Sequence, residues 1–128
     1  MTTILACGSR GWDDRTTIVD ALRSFAPRGP VTVITGGARG ADSLAHSAAL
    51  ELGFETKVFP ADWNAHGKRA GFLRNLQMLD ERPDVVLAFS LGTKGTEHTT
   101  SEAIRRGIHT RIFSPDDASA AQKGKPDA

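Results

Sequence analysis

Two glycine-bearing stretches carry the residue types that can hold an anionic ligand. In Val31-Thr-Val-Ile-Thr-Gly-Gly-Ala-Arg-Gly-Ala-Asp42 a short β-branched run stops at Gly36-Gly37, and an apolar helix pattern begins after Gly40. A buried strand that breaks on glycine and turns at once into a helix lets backbone N–H groups face a phosphate. The stretch lacks the Gly-Lys-Ser/Thr ending of a P-loop and the Gly-x-Gly-x-x-Gly spacing of a dinucleotide fingerprint. The plainer alternative is a tight strand-to-helix turn, with Asp42 as a first-turn acid suited to the helix dipole. The second stretch, Gly92-Thr93-Lys94-Gly95-Thr96, follows the apolar run Val85–Phe89 and, ending in threonine at a helix start, offers N–H groups and a hydroxyl for a phosphate.

Other candidates lie between these loops. Arg74, Asn75 and Met78 share one helix, and the spacing of Arg74 and Met78 puts them on one face. Arg10, Arg39, Arg74 and Lys94 are the cations expected near phosphates. Trp12 is a candidate for stacking on a base, and Trp63 with Asn64 and His66 for a lid; packing roles compete with both. Cys7, at the end of an apolar run, reads as a packed small residue.

The elements that must position these residues alternate. Strands are expected over Thr2–Cys7, Val31–Thr35, Phe54–Phe59, Val85–Phe89 and Ile108–Phe113. Helices are expected over Asp14 to about Ala26, Ala41–Leu52, about Lys68 to Asp80, and Thr99–Arg106. Gly53 and Gly107 stand where helix C-terminal caps belong. Such alternation gives a three-layer α/β sandwich of about five mostly parallel strands with helices on both faces. In such sheets ligands bind at the carboxyl ends of the strands, so the loops starting at Gly8, Gly36, Pro60 and Ser90 are the ones that matter. The most apolar run, Val85–Phe89, reads as a central strand. Residues 1–113 form one domain; the stretch from Ser114 to Ala128, rich in Ala, Asp, Lys, Ser and Pro without apolar periodicity, is expected to be a disordered tail.

Composition narrows the classes. The 128 residues carry 16 basic and 15 acidic side chains, a net charge of +1. With no tyrosine and only 6% aromatics, this balance argues against a general grip on nucleic acid. A single cysteine leaves no intrachain disulfide and no multi-cysteine metal site, and the 4 histidines are scattered without metal-ligand spacing. No metal and no cofactor are therefore expected. No apolar run approaches a membrane span, and Met-Thr-Thr-Ile-Leu enters a strand pattern directly, so the expected location is cytoplasmic, with no membrane partner.

Four motifs in order carry a family resemblance: Cys7-Gly-Ser-Arg-Gly-Trp-Asp-Asp14, Thr35-Gly-Gly-Ala-Arg-Gly-Ala-Asp42, Ala70-Gly-Phe-Leu-Arg-Asn-Leu-Gln-Met78 and Gly92–Thr96. Together they resemble the SLOG superfamily, the Rossmann-like domains related to the lonely-guy phosphoribohydrolases and to DNA-processing protein A. The nearest likeness is to its small single-domain branch of bacteria and phages. The resemblance spans about residues 2–113 and implies a nucleotide or nucleotide-derived ligand between the glycine loops. By the family pattern Gly36, Gly37, Gly40 and Asp42 would line the base and ribose side. Gly92, Gly95 and Thr96 would hold the phosphate, with Ser9 and Arg10 at the rim.

In the lonely-guy enzymes an arginine on the corresponding helix works with a glutamate after the Gly-Thr loop to break an N-glycosidic bond. Arg74 matches the arginine. The enzymes place their glutamate two and three residues past the threonine, where this chain has His98 and Thr99; Glu97 is the nearest carboxylate and Glu102 the next. The expected function is therefore binding of a nucleotide or nucleotide-derived small molecule, as a sensor or sequestering module. A nucleoside monophosphate phosphoribohydrolase using Arg74 and Glu97 is the first alternative, and single-stranded nucleic-acid binding the second. The resemblance also implies a homo-oligomer.

Overall fold

The computed structural model describes residues 1–115; most of the expected tail, 116–128, lies outside the described residues. Five strands form one sheet: β1 (Thr2–Gly8), β2 (Val31–Thr35), β3 (Glu55–Val58), β4 (Val85–Phe89) and β5 (His109–Phe113). Their order is β3-β2-β1-β4-β5, and every pairing is parallel. This is a Rossmann-like α/β fold. β1 stands at the centre and β4 beside it, so β4 is an interior strand rather than the middle one.

Alternation along the strands sends side chains to two cores. Ile4 and Ala6 of β1 join Val33, Leu87 and Phe89 against α1 (Arg15–Arg23) and α2 (Ala41–Glu51). Leu5 and Cys7 point the other way and join Ile34, Val86, Ala88, Met78 and Leu79. That second face is covered by α4 (Ala70–Asp80) and α5 (Lys94–Arg105). All five residues of β4 are buried, as a strand covered on both faces requires. β3 lies at a sheet edge and is mostly exposed.

Local signals set the helix ends. Asp14 caps α1, its Oδ1 accepting from the Thr17 N–H at 3.2 Å and its Oδ2 from the Thr17 hydroxyl at 2.8 Å. Gly53, with φ +78°, follows α2 in the left-handed conformation that closes a helix. Two segments differ most from the sequence expectation. α5 begins at Lys94, five residues early, because Thr93 is already extended and a full helical turn forms over Lys94–Glu97. Gly95 and Thr96 are therefore helical residues, not loop. Trp63–His66, expected as loop, forms a short helix α3 capped by the Asp62 carboxylate, which accepts from the Ala65 N–H at 3.0 Å.

No helix among the described residues is long and apolar enough to cross a membrane.

Candidate functional site

The chain leaves β1 toward β2 on one side of the sheet and later returns from β3 to β4 on the other. The loops after β1 and β4 therefore diverge and open a crevice at the carboxyl edge, the topological switch point. Gly8 lets this junction close. A Cβ there would stand 2.3 Å from the Phe89 carbonyl oxygen and 2.6 Å from the Ala41 Cβ. The next residue, Ser9, is buried and ties the two loops together. Its Oγ accepts from the Leu91 N–H at 2.9 Å and lies 2.9 Å from the Thr93 hydroxyl, which lies 3.0 Å from that of Thr96. Three hydroxyls thus run from β1 to the N-terminal turn of α5.

Arg74 builds the opposite wall. Its guanidinium donates to the Gly36 carbonyl at 2.5 Å and the Phe59 carbonyl at 3.4 Å, clasping the carboxyl ends of β2 and β3. Its Nε donates to Asn75 Oδ1 at 3.1 Å, and Asn75 Nδ2 lies 3.4 Å from His98 Nδ1 on α5. Asp42, in the first turn of α2, is buried and accepts from the Ala38 N–H at 3.2 Å. Burial pushes its carboxyl up to about 6, while the Ala38 N–H and then Arg74 pull it back toward the ionised form. Cys7 lies beside this pair; burial raises its thiol far above the usual range, aided by Asp42, which favours the neutral thiol.

These walls enclose an open cavity of about 400 Å³. Of the residues singled out from sequence, Ser9, Arg10, Asp42, Arg74, Asn75, Gly95 and Thr96 line it. Gly36, Gly37, Arg39, Gly40, Gly92, Lys94 and Glu97 do not, and the glycines show why. A Cβ on Gly36 would meet Arg74 Nη1 at 2.4 Å, and one on Gly40 the Arg10 carbonyl oxygen at 2.2 Å. Gly37 and Gly40 also have φ of +74° and +79°. The first glycine loop thus admits protein atoms of the same chain, and the tight-turn reading describes its backbone. Gly92 faces open space with φ +87°. Arg39, Lys94 and Glu97 are exposed outside the cavity, and the carboxylate that lines it among the described residues is Asp42. Trp12 is also removed from the site: it is 3% exposed, packs on Phe89 at 5.7 Å between centroids, and donates its Nε1–H to the Asp14 carbonyl.

Sequence reasoning missed Lys68, Phe72, Thr93 and Thr99, which also line the cavity. Thr93, Thr96 and Thr99 recur every third residue, a spacing that places hydroxyls on one helical face; extending the helix back to Lys94 would have revealed them. Phe72 reads in sequence as a core residue of α4, yet it is 47% exposed. Trp63 lines the cavity as well. Among the described residues no group of three or more His, Cys, Asp or Glu gathers to hold a metal.

A doubly wound parallel sheet with a crevice at its switch point defines the class as Rossmann-like, and relatives define the family. The model for the YspA, cpYpsA-related SLOG family, YAcAr, matches residues 2–66. Gene 61 protein of Mycobacterium phage D29 is 46% identical over 116 residues, covering 84% of this chain and 93% of that protein. The chain belongs to the YAcAr family of SLOG proteins, in agreement with the resemblance read from its motifs. Among solved structures, DNA processing protein A (DprA) from Streptococcus pneumoniae superposes with a TM-score of 0.71 at 16% identity, covering 97% of this chain and 57% of that one. The structural-genomics target TM1055 superposes with a TM-score of 0.71 at 19% identity, covering 94% and 81%. Both share the fold; this chain spans little more than half of the DprA chain.

Proposed function

We propose that the cavity binds a nucleotide or nucleotide-derived small molecule and that the protein acts as a sensor or sequestering module. The observation that carries this reading is the division of labour inside one cavity. Arg10, Lys68 and the hydroxyl-lined N-terminal turn of α5 suit a phosphate. Asp42 is an acceptor for ribose hydroxyls, and exposed aromatic rings stand nearby. Gly95 supports the phosphate assignment: nothing lies within 4 Å of its Cβ position, so the first turn of α5 stays open to the cavity. Membership of the SLOG family agrees with this ligand class.

A thermal-shift panel of nucleotides tests it. A binder at a hundredfold excess over its dissociation constant should stabilise the fold by roughly 2.7 kcal/mol. Arg10→Ala and Lys68→Ala should each reduce the response. A panel in which no nucleotide raises the melting temperature would sink the proposal.

One observation favours hydrolysis as a second reading. Asp42 is the carboxylate that lines the cavity, it titrates near 6, and Arg74 is close by. A group in that range can take a proton from water attacking the anomeric carbon while the base leaves. Asp42 would then hold the role that the hydrolase alternative gave to Glu97. Released free base from nucleoside monophosphates, lost in Asp42→Asn, is the expected sign; no release by the wild type leaves binding alone. The homo-oligomer implied by the family resemblance is a separate proposal, checked by light scattering.

A further inference from the structure

On the nucleotide reading proposed above, the base of the ligand needs a surface, and most of the cavity has none to offer. On the glycine-loop side Arg74 occupies the space beside Gly36 and the Arg10 backbone the space beside Gly40, which leaves Ala38 and Asp42 at the cavity and no ring. Trp12 is buried in the core. The α5 side presents Ser9, Thr93 and Thr96, a polar wall suited to phosphate.

The aromatic wall remains. Trp63 and Phe72 are 52% and 47% exposed, and both line the cavity. Trp63 stands on α3 over the start of α4, its Cη2 only 3.6 Å from the Cβ position of Gly71. Phe72 rests on the His98 ring, with centroids 4.5 Å apart and planes inclined by 48°. Contact with α5, rather than core packing, therefore orients Phe72. Among the described residues the Trp63 indole N–H has no acceptor within the chain. Asn75, the nearby side-chain amide, is engaged at both ends by Arg74 and His98.

We infer that Trp63 and Phe72 form the base platform of the site, replacing the Gly36–Gly40 loop in that role. Recognition on this platform works by ring area, because among the described residues the one side-chain amide lining the cavity, Asn75, is already engaged at both ends. Purine nucleotides then bind more tightly than pyrimidine nucleotides, with little preference among purines.

Trp63 is its own reporter, since the second tryptophan, Trp12, is buried. The full chain is titrated with AMP, UMP and ribose 5-phosphate, following calorimetric affinity and acrylamide quenching of tryptophan emission. AMP should bind roughly tenfold more tightly than ribose 5-phosphate, the effect of one stacked base, with UMP between them. AMP should also shield Trp63 from acrylamide. Trp63→Ala and Phe72→Ala, both at half-exposed positions that leave the core intact, should each remove most of the AMP advantage while ribose 5-phosphate binds as before. AMP binding no tighter than ribose 5-phosphate, or leaving Trp63 open to acrylamide, overturns the platform while the nucleotide reading stands. Failure of all three probes to bind overturns the platform, and silence of the full nucleotide panel as well overturns both.

Discussion

The guanidinium of Arg74 fills the space that a side chain at Gly36 would need. Its Nη1 donates to the Gly36 carbonyl and stands 2.4 Å from where a Cβ would sit, with Asp42 Oδ2 at 2.9 Å on another side. The glycine therefore serves the arginine, and the arginine ties the carboxyl ends of β2 and β3 together. Gly36→Ala must displace the guanidinium from the Gly36 and Phe59 carbonyls. We expect it to destabilise the fold by about 1–3 kcal/mol in urea denaturation. Stability equal to the wild type would mean that this contact does not organise the wall.

Gly95 predicts the opposite sign. It lies in the first turn of α5, has no positive φ and meets nothing within 4 Å. Gly95→Ala should stabilise the free protein by about 0.5–1 kcal/mol through helix propensity. The same methyl group enters the cavity, so nucleotide affinity should fall. A variant that gains stability and keeps its affinity would remove Gly95 from the phosphate site.

Asp42 gives the protein a pH dependence of defined sign. Its carboxyl is raised from 3.8 to about 6 by burial. Between those values the folded state holds a proton that the unfolded chain has lost, so stability is greatest with Asp42 neutral and declines as pH rises from about 4 through 6. Over the window the decline is about 3 kcal/mol. Asp42→Asn should flatten this part of the stability profile, measured by denaturant titration at several pH values. An unchanged slope would locate the titration elsewhere.

Ser9 joins the two diverging loops. Ser9→Ala leaves the Leu91 N–H without its acceptor and the Thr93 hydroxyl with Thr96 as its remaining hydroxyl neighbour. The expected cost is about 1–2 kcal/mol, with faster amide exchange at Leu91 as the local signature.

Much of the fold was legible because its signals are local. The apolar runs Thr2–Cys7, Val31–Thr35 and Val85–Phe89 could only be buried strands, and Gly53 marked a helix end. The site was legible in part. Arg10, Asp42, Arg74 and Thr96 are polar residues in the right loops, and the cavity gathers them. The role of Gly36 was not, since a glycine that makes room for a ligand and one that makes room for an arginine 38 positions later look alike in sequence. Phe72 misled for a similar reason. Helical periodicity cannot separate a ring facing the core from one facing a cavity on the same side of the helix. Glu97 was adjacent to the right threonine, but with α5 beginning at Lys94 its side chain lies outside the cavity.

The central claim is that Arg10 and Lys68 frame a nucleotide site at the β1–β4 crevice. The most direct measurement is the melting temperature of the wild-type chain and of the Arg10→Glu/Lys68→Glu variant across a panel of nucleoside mono-, di- and triphosphates and dinucleotides. At least one nucleotide should raise the wild-type melting temperature, by an amount corresponding to roughly 2.7 kcal/mol at a hundredfold excess over its dissociation constant, and should leave the variant unmoved. No response from any nucleotide, or equal responses in both proteins, would contradict the account.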